Sequence, residues 1–334
     1  MISIIVPAYN VDPWIKMCLD SILKQSYEDI EIIVVNDGST DNTAEIIELC
    51  AHNDDRIRAY HRPNKGVTAA RLFGVMQARG EWIGFVDADD YVDSDMYERL
   101  IANAQKYQTD ISQCGYQLIA GDEVVHYYNT GRLVKQDKQE GVTTLLDGSY
   151  IEPGLWNKLF HKRLFHTLLH DDIFDMDIRM NEDLLMNYYL FREAEKSVYE
   201  DFCPYHYVLR AGSATTNKIS EHKLKDPIRV MQILLQETKE NKAQHEAVRR
   251  RYIRILCNTA TVALGSQADM IRPFRKEMRR ALRRELIDVL LKKHYGVRLK
   301  VIALWAGILP DTYAWAHRIH IRVNHLDKAR NLKK

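Results

Sequence analysis

Short apolar runs alternate with amphipathic stretches through the first ~115 residues, about one strand and one helix every 25–30 residues. Ser3–Ala8, Glu31–Val35, Ile57–Tyr60 and Glu81–Val86 read as strands, the first two apolar enough to be buried on both faces. Between them Trp14, Ile15, Cys18, Leu19, Ile22 and Leu23 recur at helical spacing behind Asp12-Pro13, an N-cap and first-turn proline. A second helix carries Ile46, Ile47 and Leu49 behind Thr40 or Asp41 as its cap, and a third runs from Val67 to Ala78 with Gly80 as its C′ residue. A fourth opens at Ser94 and leads to a strand near Asp110–Tyr116. This alternation predicts an α/β fold: a mostly parallel, Rossmann-like sheet flanked by helices.

In such a sheet, ligands bind beyond the carboxyl ends of the strands. Three polar clusters fall there: Pro7-Ala8-Tyr9-Asn10, Asn36-Asp37-Gly38 and Asp87-Ala88-Asp89-Asp90. Carboxylates at Asp87 and Asp89 can converge on one hard cation, Mg²⁺ or Mn²⁺, or serve only as turn formers and helix caps. Asp37 can accept from an imide N–H or merely close a βα turn. Asn181-Glu182-Asp183 precedes an apolar helical run, so its acids either complement the helix dipole or supply a general base kept ionised there.

Taken in order, Ile5-Val-Pro-Ala-Tyr-Asn10, Val35-Asn-Asp-Gly-Ser-Thr-Asp41, Asn64-Lys-Gly66 with Ala70-Arg71, Phe85-Val-Asp-Ala-Asp-Asp90 and Asn181-Glu-Asp183 resemble a family-2 inverting glycosyltransferase of GT-A fold, over roughly residues 1–216. The resemblance implies a UDP-sugar donor held by Pro7, Ala8, Tyr9, Asn10, Asp37, Lys65, Arg71, Asp87 and Ala88. It implies Mn²⁺ or Mg²⁺ on Asp89 and Asp87, with His206 as a further candidate ligand. Asp183 becomes the catalytic base, and Glu182 orients hydroxyls. Trp156-Asn-Lys158 and Tyr205-His-Tyr-Val-Leu-Arg210 with Gly212-Ser213 resemble bacterial polysaccharide members, which puts Lys158, Arg210 and Ser213 at the donor phosphates. Here Leu72 stands where the family often has asparagine, so one contact is missing. The Gln-x-x-Arg-Trp signature of processive synthases is absent, which favours transfer of a single sugar. The implied function is synthesis of bacterial surface polysaccharide, capsule or exopolysaccharide, on a lipid-linked or oligosaccharide acceptor. The alternative is a non-catalytic nucleotide-sugar-binding scaffold subunit of a membrane assembly complex.

Beyond Tyr116 the alternation stops. Residues 117–150 are polar and read as a hairpin and loops. Asn181–Glu195 reads as a helix and Ser197–Arg210 as a strand, and from about Ser220 the text is helical. The net charge of +1 conceals a split. Residues 221–334 hold 26 Lys and Arg against 11 Asp and Glu, leaving 21 bases against 35 acids before them. We therefore expect a catalytic domain over 1–216 and a basic helical region over 217–334. Leucines beside a dense basic face, with Trp305 nearby, suit an anionic membrane surface; the alternative is a solvated subdomain or a homo-oligomer contact. The acidic front half argues against nucleic acid. The five scattered cysteines suit a reducing compartment rather than a disulfide framework. The longest uncharged apolar run near the end, Val301–Pro310, is ten residues where a bilayer needs ~20. A peripheral protein at the cytoplasmic face of the inner membrane is the expectation.

Overall fold

The structure is a computed structural model. It describes all residues except 122, 128, 171–172, 211–218, 261, 263–267 and 324–334. The chain separates into two compact units, one of 1–142 with 151–210 and one of 143–150 with 211–334.

In the first unit the strands are β1 (Ile2–Ala8), β2 (Ile30–Asn36), β3 (Ile57–His61), β4 (Trp82–Phe85), β5 (Tyr91–Val92), β6 (Ile111–Ala120), β7 (Glu123–Tyr127), β8 (Leu133–Asp137), β9 (Lys158–His161) and β10 (Lys196–Leu209). The helices before residue 200 are α1 (Ile15–Leu23), α2 (Thr43–Asn53), α3 (Val67–Gln77), α4 (Met96–Tyr107), α5 (Lys138–Asp147), α6 (His166–His170) and α7 (Glu182–Glu193), with a 3-10 turn at Lys162–Phe165. The sheet runs β3-β2-β1-β4-β9-β6-β10-β5, with β7 on β6 and β8 on β10. Strands β3, β2, β1 and β4 pair in parallel, as do β6 and β10. Against the simple alternation, β9 enters antiparallel between β4 and β6.

All seven residues of β1 and all seven of β2 are buried, as two-sided cover requires. Ile2, Ile4 and Val6 join one core with Leu19 and Ile22 of α1 and Leu100 of α4. On the opposite face Ile5 meets α3 at Gly74, where a Cβ would stand 2.5 Å from the Ile5 methyl carbon Cγ2. This close approach lets α3 lie flat on the sheet and carry Arg71 to the strand ends.

Local punctuation differs from expectation in three places. The N-cap position of α1 is Trp14, without a side-chain bond, and Asp12 instead donates its backbone N–H to Asp41. Asn42 occupies the N-cap of α2, while Asp41 accepts from the Thr43 N–H at 3.0 Å. Gly80 is not a left-handed C′ residue: α3 ends at Gln77, and Gly80 is needed because a Cβ there would lie 2.8 Å from the Met1 carbonyl. The polar stretch 117–150 also holds a helix, α5. Its start is a reciprocal pair in which Asp137 Oδ1 accepts from Glu140 N–H and Glu140 Oε2 accepts from Asp137 N–H.

The second unit is helical: α8 (Glu221–Glu237), α9 (Lys242–Thr259), α10 (Ala268–Leu291), α11 (Val297–Ile308) and α12 (Pro310–Val323). Leu256, Ile271, Leu282, Val289, Ala303 and Ala306 build its core. Among the described residues no helix is long and apolar enough to cross a membrane.

Candidate active site

The ends of β1 and β2 are tied into one surface. Asn10 adopts a left-handed backbone (φ 51°), and its Oδ1 accepts from the Thr40 N–H at 2.8 Å while its own N–H reaches Ser39 Oγ at 3.0 Å. Pro7 and Ala8 are buried in β1, and Tyr9 leaves half its surface exposed beside them. Asp37 is buried, and its two oxygens accept from the backbone N–H groups of Lys65 (2.9 Å) and Gly66 (2.8 Å). Its carboxylate therefore shapes the loop between β3 and α3, and each oxygen retains a lone pair. Gly38 has φ 76°, and a Cβ there would sit 2.7 Å from the Asn64 nitrogen, so the Asp-Gly pair is required by space as well as by conformation.

Arg71, from the middle of α3, is buried and holds three carboxylates from two distant stretches. Its Nη2 lies 3.0 Å from Asp87 Oδ1, and its Nη1 lies 3.4 Å from Glu182 Oε1 and bonds Asp183 Oδ1. Asp87 leaves the end of β4, and Glu182 and Asp183 form the first turn of α7 behind Asn181, which is left-handed at φ 64°. One cation among three acids leaves the cluster net negative. Burial pushes the Glu182 carboxyl up to about 8, with the neighbouring Asp183 adding to it. Asp183 is also raised by burial, against the pull of Arg71. The helix N-terminus was expected to keep Asp183 ionised; desolvation outweighs it, and the result is a carboxylate of raised basicity. The same carboxylates drive the Arg71 guanidinium above its ordinary range.

The other members of the Asp87–Asp90 turn have separate partners. Asp89 forms an ion pair with Arg210 beyond the end of β10, and the Arg210 guanidinium lies 3.9 Å from the centroid of the Trp14 ring. Burial lowers Arg210 to about 10, with Asp87 opposing the shift. Asp90 is buried and accepts from Tyr205 Oη (2.7 Å) and the Val208 N–H (2.8 Å), while Tyr205 Oη accepts from the Asp87 N–H at 3.2 Å. Tyr205 in turn stacks on Trp156 at 4.4 Å. Sequence reasoning placed Asp90 in the strand-end cluster and Tyr205 in a family-like motif without giving either a role, and it took Trp14 only as part of a helix face. Ala88 is buried within the turn.

Two expected site residues are placed elsewhere. Lys158, expected at a donor phosphate, has no exposed surface, and its Nζ donates to Glu152 O (2.7 Å), Gly154 O (2.6 Å) and Asn157 Oδ1 (2.8 Å). Burial lowers it to about 7, and three acceptors match the three N–H bonds of its ammonium form, so it fastens the 152–157 loop. His206, a candidate metal ligand, instead has Nε2 2.8 Å from Asp93 Oδ1 and stacks on Tyr91 at 4.3 Å. Ser213 lies outside the described residues.

Among the described residues no group of three or more His, Cys, Asp or Glu gathers as a ready metal cage. The donor set nevertheless fits a hard dication, since Mg²⁺ is commonly held by one or two carboxylates and completed by substrate phosphates and water. Asp87 and Asp89, each with about a quarter of its side chain accessible, are the oxygen donors suited to it.

Residues 3–175 match the family model for glycosyl transferase family 2. The chain is 42% identical over 200 residues to the Bacillus subtilis uncharacterized glycosyltransferase EpsJ, covering 59% of this chain and 57% of EpsJ. It is 34% identical over 220 residues to the Streptococcus pneumoniae glycosyltransferase GlyA, covering 64% of this chain and 31% of GlyA. The match thus spans less than two thirds of either relative. In architecture it is similar to residues 1–349 of TarS from S. aureus solved with UDP-GlcNAc, at TM-score 0.65 and 19% identity over 99% of this chain and 90% of that one. Sheet, strand-end acids and matched sequence converge: the chain belongs to glycosyl transferase family 2 and has the GT-A type of α/β fold.

Proposed function

We propose that this chain is a metal-dependent, inverting, non-processive enzyme that moves one hexosyl or N-acetylhexosaminyl unit from a UDP-sugar to a saccharide acceptor. The acceptor is lipid-linked or a free oligosaccharide, and the product is a bacterial surface polysaccharide, capsule or exopolysaccharide, built at the cytoplasmic face of the inner membrane. Residues 1–216 carry the chemistry and 217–334 an accessory role. The observation that carries this reading is the Arg71 cluster, which joins Asp87 of the strand end to Asp183 of α7.

Pro7–Asn10, Asp37 and Lys65 hold the nucleoside end of the donor, and Arg210 meets its diphosphate; stacking of Arg210 on Trp14 supports that reading. Asp183 accepts the proton of the acceptor hydroxyl, and burial, which raises its basicity, suits it to that role. The acceptor oxygen then bonds the anomeric carbon on the face opposite the diphosphate. The bond from that carbon to the phosphate oxygen breaks, and UDP leaves with the electron pair. A single displacement inverts configuration. Asp89 and Asp87 would hold Mn²⁺ or Mg²⁺, which would supply charge neutralisation for the leaving diphosphate, a contribution of several kcal/mol. Arg71 keeps Asp183 and Asp87 in register, and Glu182, protonated below about 8, is a hydroxyl-like donor toward sugar oxygens.

The test is Asp183→Asn, assayed by UDP release from a panel of UDP-sugars with Mn²⁺. Turnover should fall about 10²–10⁴-fold, the range for a lost general base, while UDP affinity stays within a few-fold. Retained turnover would remove the assigned base.

A further inference from the structure

The second unit carries more positive charge than it can neutralise, and part of the excess is gathered along α10. Along α10, Arg272, Lys276, Arg279, Arg280 and Arg283 line a groove of about 610 Å³ whose acid is Asp311 of α12. Asp311 Oδ1 is shared by Arg275 Nη2 (2.7 Å) and Arg279 Nη2 (2.8 Å). Arg279 and Arg283 also donate their Nε–H to the carbonyls of Ala260 and Gly307, both at 3.1 Å, which fixes their guanidinium planes. Arg272, Lys276 and Arg280 have no hydrogen-bond or ion-pair partner among the described residues. Like charges four residues apart, as in Arg272 with Lys276 and Lys276 with Arg280, each destabilise a helix by about 0.2–0.5 kcal/mol. An anion from outside the chain is what would relieve them.

Beside that groove the surface is apolar. Arg283 reaches Gly307 at the junction of α11 and α12, and there Ile308 (59% exposed) and Leu309 (57%) face solvent. Val297, Val301 and Trp305 continue the exposed face along α11 at steps of four residues, and Trp315 (63%) and Ile319 extend it on α12. Residues 268–323 hold 13 Lys and Arg against 5 Asp and Glu. An apolar ridge with exposed tryptophans, flanked by cations, is the composition of a helix pair lying in the plane of a bilayer interface. A protein partner of acidic character would answer the charge but not so long an aliphatic and tryptophan-bearing ridge.

We propose that the α11–α12 junction inserts its apolar ridge into an anionic lipid surface, and that the α10 groove binds the phosphates of the lipid headgroups. Arg272, Lys276 and Arg280 meet headgroup phosphate, Arg279 and Arg283 are pre-oriented by their carbonyl partners, and Ile308 and Leu309 enter the acyl boundary. This locates and deepens the membrane-face reading given above, and it does not depend on the transfer chemistry.

The experiment is co-sedimentation of the full chain with vesicles of phosphatidylcholine alone or mixed with phosphatidylglycerol. Binding is expected to the mixed vesicles and not to neutral ones, weakening as salt rises. Arg272→Gln/Lys276→Gln/Arg280→Gln should lower partitioning on the order of 100-fold, since each surface cation contributes roughly fivefold. Ile308→Ser/Leu309→Ser should weaken it too, with melting temperature and UDP binding unchanged. Lys276→Gln alone, at an exposed helix position, guards against a folding defect in the triple variant and should give about a fivefold loss. Equal binding to neutral vesicles, or unaltered partitioning of both multiple variants, would overturn the proposal. So would a dimer broken by Ile308→Ser/Leu309→Ser in a protein that ignores vesicles. Inorganic phosphate at millimolar concentration should compete poorly; full displacement by it would mean a free-anion site instead.

Discussion

Removing the Arg71 guanidinium is the most informative single change in the catalytic unit. Arg71→Met keeps the length and apolar stem of the side chain but leaves Asp87, Glu182 and Asp183 without their common cation. Losing one partner of a buried ion pair destabilises by about 3–5 kcal/mol. These carboxylates keep 12–24% of their side chains accessible and can take up protons, so the lower end, about 3 kcal/mol, applies. At 2–4 °C per kcal/mol for a unit of this size, melting should fall by roughly 6–12 °C. The sign of the pH dependence is also determined. Burial already raises Glu182 and Asp183 in the folded chain, and Arg71 is the main group that pulls both down, with Lys158 adding a smaller pull on Asp183. Without it both rise further, so the folded variant binds protons more tightly than its unfolded chain does. Its deficit should then be greatest above pH 8 and shrink as pH falls from there toward the ordinary carboxylate range. The acid limb of transfer should move to higher pH for the same reason, because the base must be ionised. Thermal melts across pH and a pH–rate profile read both effects. Arg71→Lys should recover part of the stability but not the register, since one ammonium cannot fork between Asp87 and Asp183. An Arg71→Met protein that melts like the wild type and shows an unmoved acid limb would refute the electrostatic account.

Lys158→Met should lower the melting temperature by leaving Glu152 O, Gly154 O and Asn157 Oδ1 buried without a donor, at about 1–3 kcal/mol for each acceptor left unpaired. A loss of UDP affinity with unchanged melting would instead return Lys158 to a phosphate. Gly38→Ala should destabilise by more than 1 kcal/mol and loosen the 64–66 loop, because its φ is positive and its Cβ would strike the Asn64 nitrogen; calorimetry and UDP titration would show it. EDTA should weaken UDP binding and Mn²⁺ restore it, whereas Asp89→Ala should bind UDP equally weakly with either addition, as read by isothermal titration.

Much of the framework was legible in the sequence because it is local. Apolar runs of strand length at β1 and β2, and the acids that follow β1, β2 and β4, are written within a few residues of one another, and burial on two faces follows from their apolarity. Helix α5 escapes that reading, because its reciprocal Asp137–Glu140 start sits in polar text that reads as hairpin and loops. What the sequence by itself determined is the alternating order of strands and helices, the gathering of acids at one sheet edge, and membership of the family. Only the tertiary structure decided the partners: Arg71 with Asp183, 112 residues away, Tyr205 with Asp90, 115 residues away, and Lys158 turned into its own loop by β9 entering antiparallel between β4 and β6. The physical reason is range. Periodicity and turn chemistry act over one helix turn or one strand, whereas a buried charge takes its energy from whichever opposite charge the whole fold brings within about 3 Å of it.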